Sequence, residues 1–186
     1  MDAIMAGFIG AILGGIISAF GSWWGSKYAT NKSIKEQNRL HENTIKNSAR
    51  IIMVDFSAAI VEGTRVLKKA PLPVIGRTPV GLSFYADYSK LISDIQDLIG
   101  AENTYLLFKF YGIIEKIKYD ILKHDLVTDM STNIEYGYRI LFGEIFGDNL
   151  KLIIEKDGKI ESDFFNSIMR EKYRNLKQKL LEIATG

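Results

Sequence analysis

Residues 3–24 read AIMAGFIGAILGGIISAFGSWW, a stretch of 22 without one charged side chain in a chain of 186. As a helix it would rise about 33 Å, close to the roughly 30 Å hydrocarbon core of a bilayer. In water, Phe8, Ile9, Ile12, Leu13, Ile16, Ile17 and Phe20 would leave such a helix no polar face to present. Trp23 and Trp24 suit the headgroup level, and Lys27 opens the charged region beyond them. The start, Met1-Asp2-Ala3, lacks the basic opening of a signal peptide, and the apolar run exceeds the core of one. The stretch therefore predicts a single transmembrane helix over residues 1–26.

Outward from that stretch, charge gives a direction. Between Lys27 and Arg50 lie six basic residues (Lys27, Lys32, Lys35, Arg39, Lys46, Arg50) and two acidic ones (Glu36, Glu42), a net of +4. The whole chain carries only +2, so residues 51–186 are left at −1 once Asp2 is set aside. The positive-inside tendency predicts an outer N-terminus and a cytoplasmic C-terminal domain in a cell's inner (cytoplasmic) membrane. Trp23, Trp24, Lys27, Lys32 and Lys35 are the expected interface anchors, with the lipid bilayer as partner. Nothing in this balance calls for nucleic acid.

Small residues recur along the stretch every fourth position. One column is Ala3, Gly7, Ala11, Gly15 and Ala19, and the next is Ala6, Gly10, Gly14, Ser18, Ser22 and Ser26. Bulky residues fill the other two columns, so one side is smooth and the other bulky. Small-xxx-small faces let backbones approach closely, which predicts a homo-oligomer built on Gly7, Gly10, Ala11, Gly14, Gly15, Ser18 and Ser22. No ionisable residue marks an ion path there, so a dry helix–helix contact is the better expectation than a pore.

No Gly separates Gly25 from Gly63 and no Pro precedes Pro71, which predicts helix through to about Lys69. Its polar part, residues 27–44, reads as a juxtamembrane stalk. From residue 45 an apolar stripe appears: Ile45, Ala49, Ile52, Phe56, Ala59, Ile60, Gly63, Val66 and Leu67. Residues 70–82 hold all three Pro and break the pattern; Pro71, Pro73, Arg77 and Pro79 mark a candidate partner loop. Further helices follow from period: one on Phe84, Tyr88, Leu91, Ile92, Ile95, Leu98 and Ile99, ending near Gly100, and one on Leu106, Phe110, Ile113, Ile114, Ile117 and Ile121, running to about Leu126. Thr132 and Glu135 form a capping box before Ile134, Tyr138, Leu141, Phe142 and Ile145. Residues 148–160 read as a short helix or a hairpin turning at Asp157-Gly158, with helix preferred. A final amphipathic helix is expected from about Ser162 to Ala184. The fold class is thus all-α: one transmembrane helix, a stalk, and a cytoplasmic bundle of about five helices over residues 45–186.

Catalytic chemistry finds little support. The chain has no Cys, which removes disulfides, thiolate metal sites and thiol nucleophiles. His41 and His124 belong to no metal-ligand spacing, and no phosphate-binding Gly loop or nucleophile elbow occurs. The acidic pairs Asp94/Asp97 and Glu161/Asp163 read as solvated helix edges. The aromatic residues between Tyr85 and Tyr119 read as core, with Lys109 and Arg139 the candidates for an anion. No catalytic, cofactor-binding or metal-binding residue is expected.

The layout resembles small bacterial and phage-encoded membrane proteins, including defence and exclusion factors, in architecture alone. The functional expectation is a non-enzymatic, self-associating, single-pass membrane protein whose helical domain binds a cytoplasmic protein or small ligand. The alternative is a gated pore-forming or membrane-perturbing effector with the helical domain as sensor.

Overall fold

The computed structural model describes residues 2–68, 87–123, 130–156 and 160–186, with the side chains of 2–17, 19–20, 121–123 and 130–132 outside that description. Among the described residues every element is helical: α1 (Asp2–Leu67), α2 (Tyr88–Ile99), α3 (Ala101–Lys123), α4 (Met130–Phe146), a 3₁₀ turn (Gly147–Asn149), α5 (Leu150–Glu155), α6 (Ser162–Ile168) and α7 (Glu171–Thr185). They form two compact units, Met1–Asn43 and Thr44–Gly186.

The first unit is the leading part of α1. Every side chain described in it, Ser18 and then Gly21 to Asn43, is exposed. Its local ties are slight: the Thr30 hydroxyl donates to the Ser26 carbonyl at 2.9 Å, and Arg39 lies 3.6 Å from Glu36. Among the described residues no helix is long and apolar enough to cross a membrane. This corrects the single-pass expectation, and with it the inner-membrane localisation and the outside-to-cytoplasm orientation. The physical reason lies in where apolar residues fall. A span needs about 20 in succession; of the predicted span the side chains of 2–17, 19 and 20 lie outside the described residues, and from Lys27 to Arg50 α1 is charged or polar at most positions. The apolar residues of the later helices alternate with polar ones at helical spacing and turn into a core.

The second unit is built around that core. The last part of α1 contributes Ala49, Ile52, Phe56, Ala59, Ile60 and Leu67, and α2 contributes Leu91, Ile92, Ile95 and Ile99. From α3 come Leu106, Leu107, Phe110, Tyr111, Ile114 and Ile117, and from α4 Ile134, Tyr138, Leu141, Phe142, Ile145 and Phe146. Leu98, expected on the core side, is exposed. The carboxylate of Asp87 accepts from the Lys90 amide at 3.4 Å and caps the start of α2. Gly100, at φ +82°, takes a left-handed turn that ends α2, and its carbonyl accepts the amide and hydroxyl of Thr104 as α3 begins. Close approach between helices is bought with glycine at Gly63 and Gly137. A Cβ on Gly63 would sit 2.7 Å from Cζ of Phe142 and 2.7 Å from Cδ1 of Tyr138, and one on Gly137 would sit 2.6 Å from Cγ1 of Ile117.

Residues 150–155 are helical, in favour of the short helix over the hairpin. The final helix departs from expectation, because it is broken between α6 and α7. Met169 and Arg170 are extended, at ψ 141° each, although no Pro or Gly marks the place. The orphaned groups are taken up at long range. The Arg170 amide donates to the Ile145 carbonyl at 2.9 Å, the Asn149 side chain donates to the Ile168 carbonyl at 2.8 Å, and Arg174 donates to the Met169 carbonyl at 3.0 Å. Tertiary partners thus replace the local ladder. The described part of α3 runs to Lys123, and its predicted end near Leu126, the predicted partner loop, His124 and Thr132 of the capping box lie outside the described side chains.

Candidate functional site

Polar groups inside the second unit converge at three places, and each joins different helices. Glu144 on α4 accepts from Lys109 on α3 at 2.8 Å, from Lys172 on α7 at 2.5 Å, and from the Tyr173 hydroxyl at 3.4 Å. Burial disfavours charge on Glu144, but the hydrogen bonds and positive charges of the two lysines outweigh it and hold the carboxyl below its ordinary range. Burial, followed by the neighbouring Glu144 charge, pushes the Tyr173 phenol upward.

The second place is the interior. Tyr111 donates to the buried Asp55 carboxylate at 2.8 Å, and its ring stacks on Tyr88 at 4.5 Å and 5°. Burial, then the Asp55 charge and hydrogen bond, raise the Tyr111 phenol well above its ordinary value. Third, the buried Ser48 hydroxyl donates to Asp94 at 2.8 Å, tying α1 to α2. Arg50 adds a cap, donating twice to the Ala184 carbonyl at the end of α7. These contacts fasten helices to one another.

The residues expected to meet an anion are engaged elsewhere. Lys109 is held by Glu144, and Arg139 is paired with Glu135 one turn away. Of the acidic candidates, Asp94 is used by Ser48, whereas Asp97, Glu161 and Asp163 are exposed. His41 is exposed on α1. Among the described residues no three His, Asp or Glu side chains gather as a metal site would require. A crevice between α1 and α7, lined by Met53, Phe56, Tyr173, Leu176 and Leu180, encloses about 10 Å³, too little for a substrate. The aromatic residues divide. Phe110 and Tyr111 are core, but Tyr105, Phe108 and Tyr119 are exposed.

The surfaces are more informative. From Ile51 to Val61 the only charged residue of α1 is Asp55, and it points inward. Val54 and Val61 point outward beside Met53, Ser57 and Ala58, forming an open apolar face. In the first unit, Trp23 and Trp24 stand edge to face with ring centroids 6.3 Å apart, and Lys27 Nζ lies 5.1 Å from the Trp23 ring. Trp24 is 68% and Tyr28 71% exposed. Lys32 and Lys35 are exposed on the same helix. Of the predicted association face, Ser18 and Ser22 are exposed, and Gly7, Gly10, Ala11, Gly14 and Gly15 have side-chain positions outside the description.

Sequence reasoning missed Ser48, Asp55 and Glu144. Asp55 carried a signal, as the one charge in an eleven-residue apolar run. Glu144 carried none, because its partners lie on helices 35 and 28 residues away in sequence. Comparison with protein-family models, with curated proteins and with solved structures gives no match, so function is argued from this chain's own residues.

Proposed function

We propose that the chain is a non-enzymatic, self-associating helical protein, in which the leading part of α1 joins copies and the bundle of residues 44–186 binds a partner protein or small ligand. The supporting observation is the recurrence of small residues every fourth position from Ala3 to Ser26, on a helix whose described side chains up to Asn43 are all exposed. A Cβ on Gly21 or Gly25 of that helix would meet nothing within 4 Å, as is also true of Gly112 and Gly143 in the bundle. A glycine inside a helix costs about 1 kcal/mol relative to alanine. Within one copy nothing at Gly21 or Gly25 offsets that cost, while a second helix packed closely there would. The exposure of Gly21 to Asn43 agrees, because helices draw most of their stability from packing. For the bundle, the outward Val54 and Val61 supply an apolar patch for a partner.

The test is the mass of the full chain in solution, by light scattering after gel filtration, for the parent and for Gly10→Leu combined with Gly14→Leu. An oligomeric parent and a smaller, still helical variant are expected. An unchanged mass would refute self-association through the small-residue face.

A further inference from the structure

We propose that α1 carries, on its aromatic and basic side between Trp23 and Arg39, a docking face for an anionic lipid surface, which it meets from one side. Trp24, Tyr28, Asn31, Lys35 and Arg39 succeed one another at intervals of 4, 3, 4 and 4 residues, and Trp23, Lys27 and Ile34 form the neighbouring stripe. At 100° per residue these two stripes share half of the helix. The other half holds Ser22, Ser26, Ala29, Ser33 and Glu36, at intervals of 4, 3, 4 and 3. All these side chains are exposed. One half is therefore aromatic and cationic, the other small and polar.

The occupant follows from the chemistry of that half. Indole and phenol rings with one apolar body and one polar edge settle where hydrocarbon meets water. Lysine and arginine beside them reach anionic headgroups while their stems lie along the apolar layer. Two acids stand near the stripes, Glu36, which lies 3.6 Å from Arg39, and Glu42, three residues beyond Arg39; Lys27, Lys32, Lys35 and Arg39 outnumber them. Such contact needs only a one-sided helix, because the apolar face sinks several ångströms into the boundary and no segment has to cross. Single-stranded nucleic acid also combines stacking with cations, but it is held in a groove, and a lone convex helix offers none. At 100° per residue the centre of this face and that of the self-association face lie about a third of a turn apart.

Both tryptophans of the chain stand in this face, so their fluorescence reports on it directly. The experiment titrates the full chain with phosphatidylcholine vesicles and with vesicles of equal parts phosphatidylcholine and phosphatidylglycerol. Tryptophan emission and co-sedimentation are read together. A blue shift and sedimentation with the anionic vesicles, weakened by salt, are expected. Replacing Lys27, Lys35 and Arg39 with Gln should weaken binding to anionic vesicles about 100-fold, at about fivefold per cation, and leave binding to neutral vesicles unchanged. Gly10→Leu with Gly14→Leu should still bind the anionic vesicles in preference to the neutral ones, which separates this result from failure of self-association. Emission indifferent to anionic vesicles, or equal binding by the triple variant, would overturn the proposal. So would emission already blue-shifted without lipid and rising with protein concentration, since another copy would then cover the face. Binding of a single-stranded oligonucleotide that displaces the vesicles would also overturn it.

Discussion

Alanine substitution at four helical glycines should separate into two signs, and neighbouring atoms decide which. Replacing glycine with alanine in a helix stabilises by about 0.8–1 kcal/mol when the methyl group has room. Gly112 and Gly143 have it: a Cβ at either position meets nothing within 4 Å. Gly63 does not. Its Cβ would press on the Phe142 ring and stand 2.7 Å from Cδ1 of Tyr138, and both rings are buried. Overpacking of a tight core costs about 1–3 kcal/mol. With two rings displaced the upper end applies, and after the helix gain Gly63→Ala should be about 2 kcal/mol less stable. Gly137→Ala presses on one aliphatic side chain, Ile117, and should lose about 1 kcal/mol. Urea unfolding followed by far-UV circular dichroism measures all four against the parent, with an unchanged denaturant slope confirming an effect on stability. A neutral or stabilised Gly63→Ala, or a destabilised Gly143→Ala, would refute the close approach of α1 to α4.

Glu144→Gln should lower stability by about 2 kcal/mol at neutral pH; the figure is held down because Lys109 and Lys172 are 38% and 35% exposed and can return to water. Since the native carboxyl titrates below its ordinary value, its contribution is present above about pH 4.3 and is lost as pH falls through the native value. Parent and variant urea midpoints should therefore converge in acid, and a gap that persists there would count against the assignment. Tyr111→Phe should cost about 2 kcal/mol, because the buried Asp55 carboxylate loses a hydrogen bond; the same unfolding assay reads it. The phenols of Tyr111, Tyr138 and Tyr173 are all raised, chiefly by burial. Stability should hold below about pH 10 and then fall as pH rises towards the native values, by about 1.4 kcal/mol per pH unit for each phenol. Tyr111→Phe should flatten that alkaline slope.

Helical period carried most of the core. The stripe from Ala49 to Leu67 apart from the half-buried Val66, the inner side of α2 at Leu91, Ile92, Ile95 and Ile99, and the whole set from Ile134 to Ile145 are buried where the spacing put them. Period erred where long-range contacts overrode local pattern. At Met169–Arg170 the helix ladder gives way to Ile145 and Asn149, and no residue in between announces it. The transmembrane reading took an apolar run as sufficient, although length and hydropathy alone do not say what a helix packs against. Of the polar network, Asp55 was visible as an anomaly in its run. Lys109 was read as a candidate for an anion, but Glu144 and Lys172 stood out in no way until folding brought three helices together.

The inward Asp55 has a consequence for the azimuth of α1. Between Ile51 and Val61 this helix is apolar on nearly every side, so burial alone would reward several rotations about its axis almost equally. A carboxylate admits one of them, the setting that aims it at Tyr111. The hydrogen bond acts as a key in a slot: it selects the orientation in which Val54 and Val61 are turned to solvent. Asp55→Leu should then leave a compact bundle whose first helix no longer has a unique rotational setting, seen as doubled or broadened methyl resonances for Val54 and Val61.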